Sequence, residues 1–248
     1  MVKSILITGG SRGIGRATAL LAGKRGWSVG VNYAGNEAAA NETVSAVESA
    51  GGRAIAIKGD VAVEADVIAM FDAVETAFGR LDGLVNNAGI VGTRQAFADY
   101  SLERLRRITD INVIGSLLCA REAARRMSKS RGGNGGGIVN LSSAAARLGA
   151  PGEYVDYAAT KGAIDSLTIG LSKELGPEGI RVNALRPGLI ETEIHASGGQ
   201  PDRAARLGAQ TPLGRAGTAE EVAEAIVWLL EDASSYVTGA LIDIAGGR

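Results

Sequence analysis

The sequence predicts a single α/β domain over residues 1–248, a seven-stranded, mainly parallel sheet with helices on both faces. Two observations predict it. Short apolar runs rich in β-branched residues alternate with longer alanine-rich amphipathic stretches along the chain, which is the pattern of strands joined by helical crossovers. Crossovers of that kind are right-handed and leave a parallel sheet covered on both sides. The 36 glycines are spread through short turns, apart from the run Gly132-Gly133-Asn134-Gly135-Gly136-Gly137, so they punctuate many elements and mark no linker, repeat or domain boundary.

Each element follows from its composition. Ile5-Leu6-Ile7 reads as the first strand, and the alanine-rich stretch 14–25 as its helix. The strand from Trp27 to Val31 precedes a helix over 37–50, and Ala54-Ile55-Ala56-Ile57 precedes one over 64–78. Gly83-Leu84-Val85 leads to a long helix over 101–130, and Ile138-Val139-Asn140-Leu141 to one over 155–176. The run from Arg181 to Leu185, a helix over 218–231 and the strand Leu241-Ile242-Asp243-Ile244 complete the set. Ligands of such sheets sit at the carboxyl ends of the strands, so the turns that follow strands are where chemistry is sought.

Composition narrows the partners. A formal net charge of −1 gives no reason to expect nucleic acid or an anionic membrane, and a small molecule is expected instead. A lone cysteine and a lone histidine exclude an internal disulfide and a multi-histidine metal cage, so no metal site is expected. Cys119, flanked by Leu118 and Ala120, reads as core packing. No apolar stretch approaches the roughly 20 residues of a membrane span, and the apolar run at the N-terminus is too short for a signal peptide. A cytoplasmic protein is expected.

The first strand runs into Thr8-Gly9-Gly10-Ser11-Arg12-Gly13-Ile14-Gly15 and then a helix. Glycines there permit a tight turn and close approach of a pyrophosphate, whose charge the helix N-terminus favours. Gly9, Ser11, Arg12, Gly13, Ile14 and Gly15 are therefore expected to hold dinucleotide phosphates, although the spacing differs from Gly-x-Gly-x-x-Gly. The second strand ends Val31-Asn32-Tyr33-Ala34-Gly35-Asn36 without the acid that would accept ribose hydroxyls, and Glu37 belongs to the next helix. Arg12 offers a guanidinium to a 2′-phosphate instead, so NADP(H) is expected over NAD(H), with Asn32 and Tyr33 beside it. Asp60, followed by Val61, could accept from the adenine amine or could cap the helix near Glu64. Asn87, Ala88 and Gly89 could flank a flat cofactor or form an ordinary Asx turn. Tyr157 and Lys161, four residues apart, share one helix face, and a cation held near a phenol brings proton exchange within reach of neutral pH.

Thr8 to Gly15, Asn86-Asn87-Ala88-Gly89, Asn112, Ser142-Ser143, Tyr157-x-x-x-Lys161 and Arg186-Pro187-Gly188 occur in order over essentially the whole chain. Together they resemble the short-chain dehydrogenase/reductase family, and within it the NADP-dependent glucose 1-dehydrogenase-like and 3-oxoacyl-carrier-protein reductase-like members. The resemblance implies a Rossmann fold and an enzyme that interconverts a carbonyl and a secondary alcohol by hydride transfer. It implies Tyr157 as acid/base, Lys161 as the group that lowers its pKa and bonds the nicotinamide ribose, and Ser143 as donor to the reacting oxygen. Asn112 would hold a water linking Lys161 to solvent, or would satisfy helix backbone as a buried polar residue. Alternation along the fifth strand lets only one of Ser142 and Ser143 face the site, and the resemblance favours Ser143.

Pro187, Gly188, the backbone of Ile190 and the hydroxyl of Thr192 match the family segment that would hold the carboxamide. The stretch that follows is Gly-, Ala- and charge-rich, as expected of a substrate lid over about 190–215, and His195 within it is an exposed loop residue or a substrate contact. Arg125, Arg126, Lys129 and Arg131 are a carrier-protein docking patch or a solvated helix end, while the acid Glu178 ranks 3-oxoacyl-carrier-protein reductase second among the activities. A non-catalytic NADP-sensing protein is the further alternative. By resemblance, the helices over 101–130 and 155–176 form a dimer seam and the last strand a second interface, which together make a homotetramer.

Overall fold

In the computed structural model, which describes residues 2–248, seven strands form one sheet in the order β3-β2-β1-β4-β5-β6-β7, all parallel. They are β1 (Ser4–Ile7), β2 (Ser28–Tyr33), β3 (Arg53–Lys58), β4 (Gly83–Asn86), β5 (Gly136–Leu141), β6 (Ile180–Pro187) and β7 (Leu241–Ile244). Every strand expected from the apolar runs is present. The pairing of Ile5 with Val29 on one side and Gly83 on the other places β1 inside the sheet next to the central β4, and the order reverses between β1 and β4. That reversal opens a crevice at the carboxyl end of the sheet.

Alternation along β1 shows how two cores are built. Ile5 and Ile7 point to one face, where they meet α1 (Gly13–Lys24), α2 (Glu37–Ser49) and α10 (Ala219–Leu230) through Ala19, Val47 and Ile226. Leu6 points to the other, against Met70 and Phe71 of α3 (Glu64–Phe78) and Cys119 of α5 (Ser116–Met127). All of these side chains are fully buried. Leu6→Ala should cost about 2–5 kcal/mol, the usual cost of such a cavity.

Helix boundaries carry local signals. Asn36 caps α2 by accepting from the amide of Ala39, and Thr218 with Glu221 forms a capping box at the start of α10. The expected helix over 101–130 is divided: α4 (Leu102–Thr109) enters a π-helical turn over Asp110–Gly115 before α5 resumes. Its apolar content is that of a helix throughout, so periodicity does not reveal the wider turn. Gly115 sits there against Val61, where a Cβ would lie 2.7 Å from a Val61 methyl. The long helix α7 (Val155–Leu175) follows β5 after the short α6 (Ala145–Leu148). The weakly periodic lid stretch contains two short helices, α8 (Ile194–Ser197) and α9 (Arg203–Gly208). No helix among the described residues is long and apolar enough to cross a membrane.

Candidate active site

The turn after β1 is shaped by close backbone packing. A Cβ on Gly15 would lie 2.4 Å from the carbonyl oxygen of Gly9, and Gly13 has φ 52°, so neither position accepts a side chain without strain. The turn is welded to the one after β4. Thr8 Oγ1 accepts from the amides of Asn87 and Ala88, and Asn87 Nδ2 donates to the carbonyls of Thr8 and Gly9 at 2.8 and 3.0 Å. This goes beyond an ordinary Asx turn, because the Asn87 side chain joins two strand ends.

Asn32 supports the same turn from beneath. Its Oδ1 accepts from the amide of Gly9 at 3.0 Å, and its Nδ2 donates to the carbonyl of Gly59 at 3.0 Å. The side chain expected beside the cofactor is therefore engaged inside the protein and shapes the turn. A groove of about 580 Å³ runs from Gly9, Ser11, Arg12, Gly13 and Ile14 past Tyr33 to Asp60, Val61, Ala88 and Gly89. Arg12 is exposed in it and, among the described residues, makes no ion pair. Glu37 begins α2 as expected and does not line the groove.

Of the two alternatives for Asp60, the helix cap is not formed. Val63 is the N-cap of α3, whereas Asp60 Oδ1 accepts from the amide of Ala62 and its Oδ2 receives Arg107 at 3.3 Å. Asp66 instead reaches back to the amide of Asp60.

Tyr157 and Lys161 lie on successive turns of α7, both lining a cavity of about 570 Å³ that adjoins the groove. The Lys161 ammonium is 5.5 Å from the Tyr157 ring centre and donates to the carbonyl of Leu141 at 2.6 Å. Burial lowers its pKa to about 8, with nearby Asp165 opposing. Burial raises the Tyr157 hydroxyl above its ordinary value, and a hydrogen bond with Ser143 opposes that rise. Desolvation outweighs the Ser143 bond at the phenol, while the Lys161 ammonium is bonded to Leu141.

The two serines separate cleanly. Ser142 Oγ is buried and donates to the carbonyl of Lys161 at 3.1 Å, while Ser143 Oγ faces the Tyr157 hydroxyl and accepts from the amide of Ala145. Asn112 lies in the π-helical turn with its side chain fully buried, accepting from the amide of Ile90 and donating to its carbonyl, both at 2.9 Å. It donates also to Thr160 Oγ1 one residue before Lys161. The buried-polar alternative describes these bonds, except that the backbone satisfied belongs to the loop after β4. A Cβ on Gly89 would lie 3.4 Å from Asn112 Oδ1 and 3.6 Å from Lys161 Nζ, so this loop touches both.

Pro187, Gly188 and Ile190 line the cavity, and Thr192 lines cavity and groove with its methyl against Gly13. Gly188 donates to the carbonyl of Ile244 at 2.9 Å, and β7 passes so close that a Cβ there would meet Ala245 at 2.7 Å. The side chain of His195 lies outside the described residues.

Sequence reasoning missed several residues here. Asp156, next to Tyr157, receives Arg104 in a bidentate pair at 2.7 and 3.1 Å; the guanidinium stacks on Tyr100 and donates to the carbonyl of Thr93. Glu153 receives Arg203 of α9 at 2.6 Å, and Tyr154 donates to the carbonyl of Gly198 while receiving Gln200, so the lid is fastened to the loop before α7. Each charged partner stands about 50 residues from its mate, beyond any local spacing rule. Cys119 is buried with its thiol pushed up to about 12 by desolvation, as core packing requires. Arg125 pairs with Glu122, and Arg126 with Asp72 and Glu75, so half of the expected basic patch is neutralised. Glu178 accepts from the amide and hydroxyl of Ser130.

Residues 9–248 match the family model described as enoyl-(acyl carrier protein) reductase. The chain is 55% identical over 243 residues to the uncharacterized oxidoreductase YgfF of Escherichia coli (strain K12), covering 98% of each. It is 36% identical to glucose 1-dehydrogenase 2 of Bacillus subtilis (strain 168), covering 99% of this chain and 94% of that protein. A solved 3-ketoacyl-(acyl-carrier-protein) reductase from Brucella melitensis, complexed with NADH, superposes with a TM-score of 0.91 at 33% identity, covering 99% of this chain and 98% of the other. With its Rossmann fold and these likenesses over nearly its full length, the chain belongs to the short-chain dehydrogenase/reductase family of oxidoreductases.

Proposed function

We propose that the protein interconverts a carbonyl and a secondary alcohol with NADP(H), Tyr157 serving as acid/base. The observation that carries the reading is the convergence of Tyr157, Ser143 and Lys161 in the cavity that adjoins the groove. The cradle fits a dinucleotide: the turn that no Cβ can enter at Gly15 exposes backbone at the N-terminus of α1, suited to a pyrophosphate. When bound, the dinucleotide supplies or takes the hydride. Pro187, Gly188, Ile190 and Thr192 line the place beside Tyr157 where its carboxamide would rest.

The chain's own residues do the rest. Tyr157, held above its ordinary pKa, is protonated at neutral pH and gives its proton to the carbonyl oxygen in reduction. Ser143 donates to that oxygen as charge develops. Lys161 presents an ammonium beside the phenol and holds a ribose hydroxyl, and Asn112 fixes the Gly89 loop against it. Arg12, exposed and unpaired among the described residues, together with the absence of an acid at the end of β2, supports NADP(H) over NAD(H). Asp60 receives the adenine amine.

This reading takes residues 1–248 as one domain with a lid over about 190–215, acting in the cytoplasm as a homotetramer. Exposed Ile114, Leu117 and Ile169 on the π-helical turn, α5 and α7 support a helical seam between copies. A second reading, 3-oxoacyl-carrier-protein reductase, is favoured by relatives of that name from Staphylococcus aureus at 38% identity, while the neutralised Arg125 and Arg126 weigh against it. An NADP-sensing protein is the third; the convergent hydroxyls and ammonium argue against it. Incubation with NADPH and a panel of ketones, aldehydes and sugars, followed by loss of nicotinamide absorbance, tests the proposal. Turnover is expected, whereas inertness towards the whole panel contradicts it.

A further inference from the structure

The cavity extends past Tyr157 into a region whose walls are hydrocarbon: Val91, Leu148, Ala150, Pro151, Ile194 and Leu207. Glu153, Tyr154 and Arg203 also line it, and these three are engaged with one another or with the lid. Arg203 donates to Glu153 at 2.6 Å, so the two charges cancel. Burial alone would raise the Glu153 carboxyl, but Arg203 outweighs it and holds it below the ordinary carboxylate range, so it stays ionised. The Tyr154 hydroxyl donates to the carbonyl of Gly198 and accepts from Gln200 at 2.5 Å. Arg248 also lines the cavity and is exposed to solvent. The hydroxyls of Ser143 and Tyr157 remain, and both serve the reacting oxygen.

We propose that the substrate is an apolar ketone and its secondary alcohol, a carbonyl flanked by hydrocarbon on both sides, and not a sugar or other polyol. This inference rests on the oxidoreductase reading above. In reduction, the carbonyl carbon accepts a hydride with its electron pair, and the C–O π pair passes to oxygen, which takes the Tyr157 proton. Solvent returns that proton, and the reduced nicotinamide is oxidised. A polyol in the same place would bury hydroxyls against Leu148, Ile194 and Leu207 without partners, each at a cost on the order of 10²-fold in kcat/KM. Arg203, paired with Glu153, offers a carboxylate or phosphate no net positive charge in the apolar part of the cavity.

The test compares 1-phenylethanol and 2-octanol with D-glucose and L-rhamnose, all oxidised with NADP+. The expected kcat/KM for either apolar alcohol exceeds that of both sugars by at least about 10²-fold. Leu207→Asp should lower the apolar values about tenfold while leaving the Kd of NADP+ unchanged. A sugar turned over as well as the better apolar alcohol overturns the proposal. Calorimetric titration of the NADP+ complex with the same four compounds separates the two inferences. Binding of an apolar alcohol that Leu207→Asp weakens, with no turnover of any compound, supports the substrate class while overturning the oxidoreductase reading. Failure of both apolar alcohols to bind overturns the substrate class itself.

Discussion

At Lys161, burial and function pull in opposite directions. Its pKa falls from 10.5 to about 8 because the folded protein disfavours the charged form. Below about pH 8 both states hold the proton and the folded state bears the cost of a buried ammonium. Between about 8 and 10.5 the unfolded state binds the extra proton, so stability attributable to this group rises with pH. Lys161→Met should remove that dependence: in chemical denaturation, wild type gains stability relative to the variant as pH rises through this window. Equal pH profiles would contradict the assignment. The adjacent serines divide by role in the same way. Ser143→Ala should lower kcat about 10²-fold, as loss of one donor to a developing oxyanion does. Ser142→Ala, losing the bond to the Lys161 carbonyl, should cost about 1 kcal/mol of stability and leave kcat within a few-fold. The sequence alone narrowed this choice to two neighbours, since alternation says that one faces the site but not which, and resemblance favoured Ser143. It could not foresee that the Lys161 ammonium donates to the Leu141 carbonyl, because side-chain direction depends on the surrounding packing.

At the level of elements, two features hold the site in shape. The Arg104–Asp156 pair joins α4 to the first turn of α7, with Asp156 also accepting from the amide of Tyr157. Both side chains are largely buried, at 12% and 3% exposure, so breaking the pair leaves an uncompensated charge at about 3–5 kcal/mol. Asp156→Ala and Arg104→Ala should each lower stability by that order, and the double variant by clearly less than their sum. Additive losses in denaturant would show that the pair does not couple the two helices. The glycine turn is the second feature. Gly15→Ala, with its methyl 2.4 Å from the Gly9 carbonyl, should abolish dinucleotide binding in a fluorescence titration. Strand and helix positions were legible because hydrophobic periodicity reports them directly, as at β1 and α10. The π-helical turn at Asn112 was not, since one wider turn leaves composition and apolar spacing almost unchanged.

The whole molecule explains why dispersed motifs converge. With β1 and β4 adjacent at the centre of the sheet, the turns after them touch, and β5, α7 and the segment after β6 close the same end. The placement of each motif just after a strand carried part of that information, because the carboxyl ends of parallel strands with right-handed crossovers all lie at one edge of the sheet. The fastening of the lid by Glu153–Arg203 and Tyr154–Gln200 was not legible, as both pairs span the fold. Cofactor choice also belongs to this scale, since the groove carries Arg12 and no paired acid at the end of β2. Arg12→Ala should reduce the advantage of NADPH over NADH in kcat/KM by about tenfold or more, the worth of a charge-assisted bond to phosphate. The proposed role of Tyr157 is proton transfer in a carbonyl reduction driven by NADPH. Its most direct test is NADPH-dependent turnover of a ketone by wild type and Tyr157→Phe, with NADPH binding titrated in parallel. Wild type is expected to turn over the ketone, and the variant to lose at least about 10²-fold with an unchanged Kd for NADPH. Equal turnover by the two proteins would contradict it.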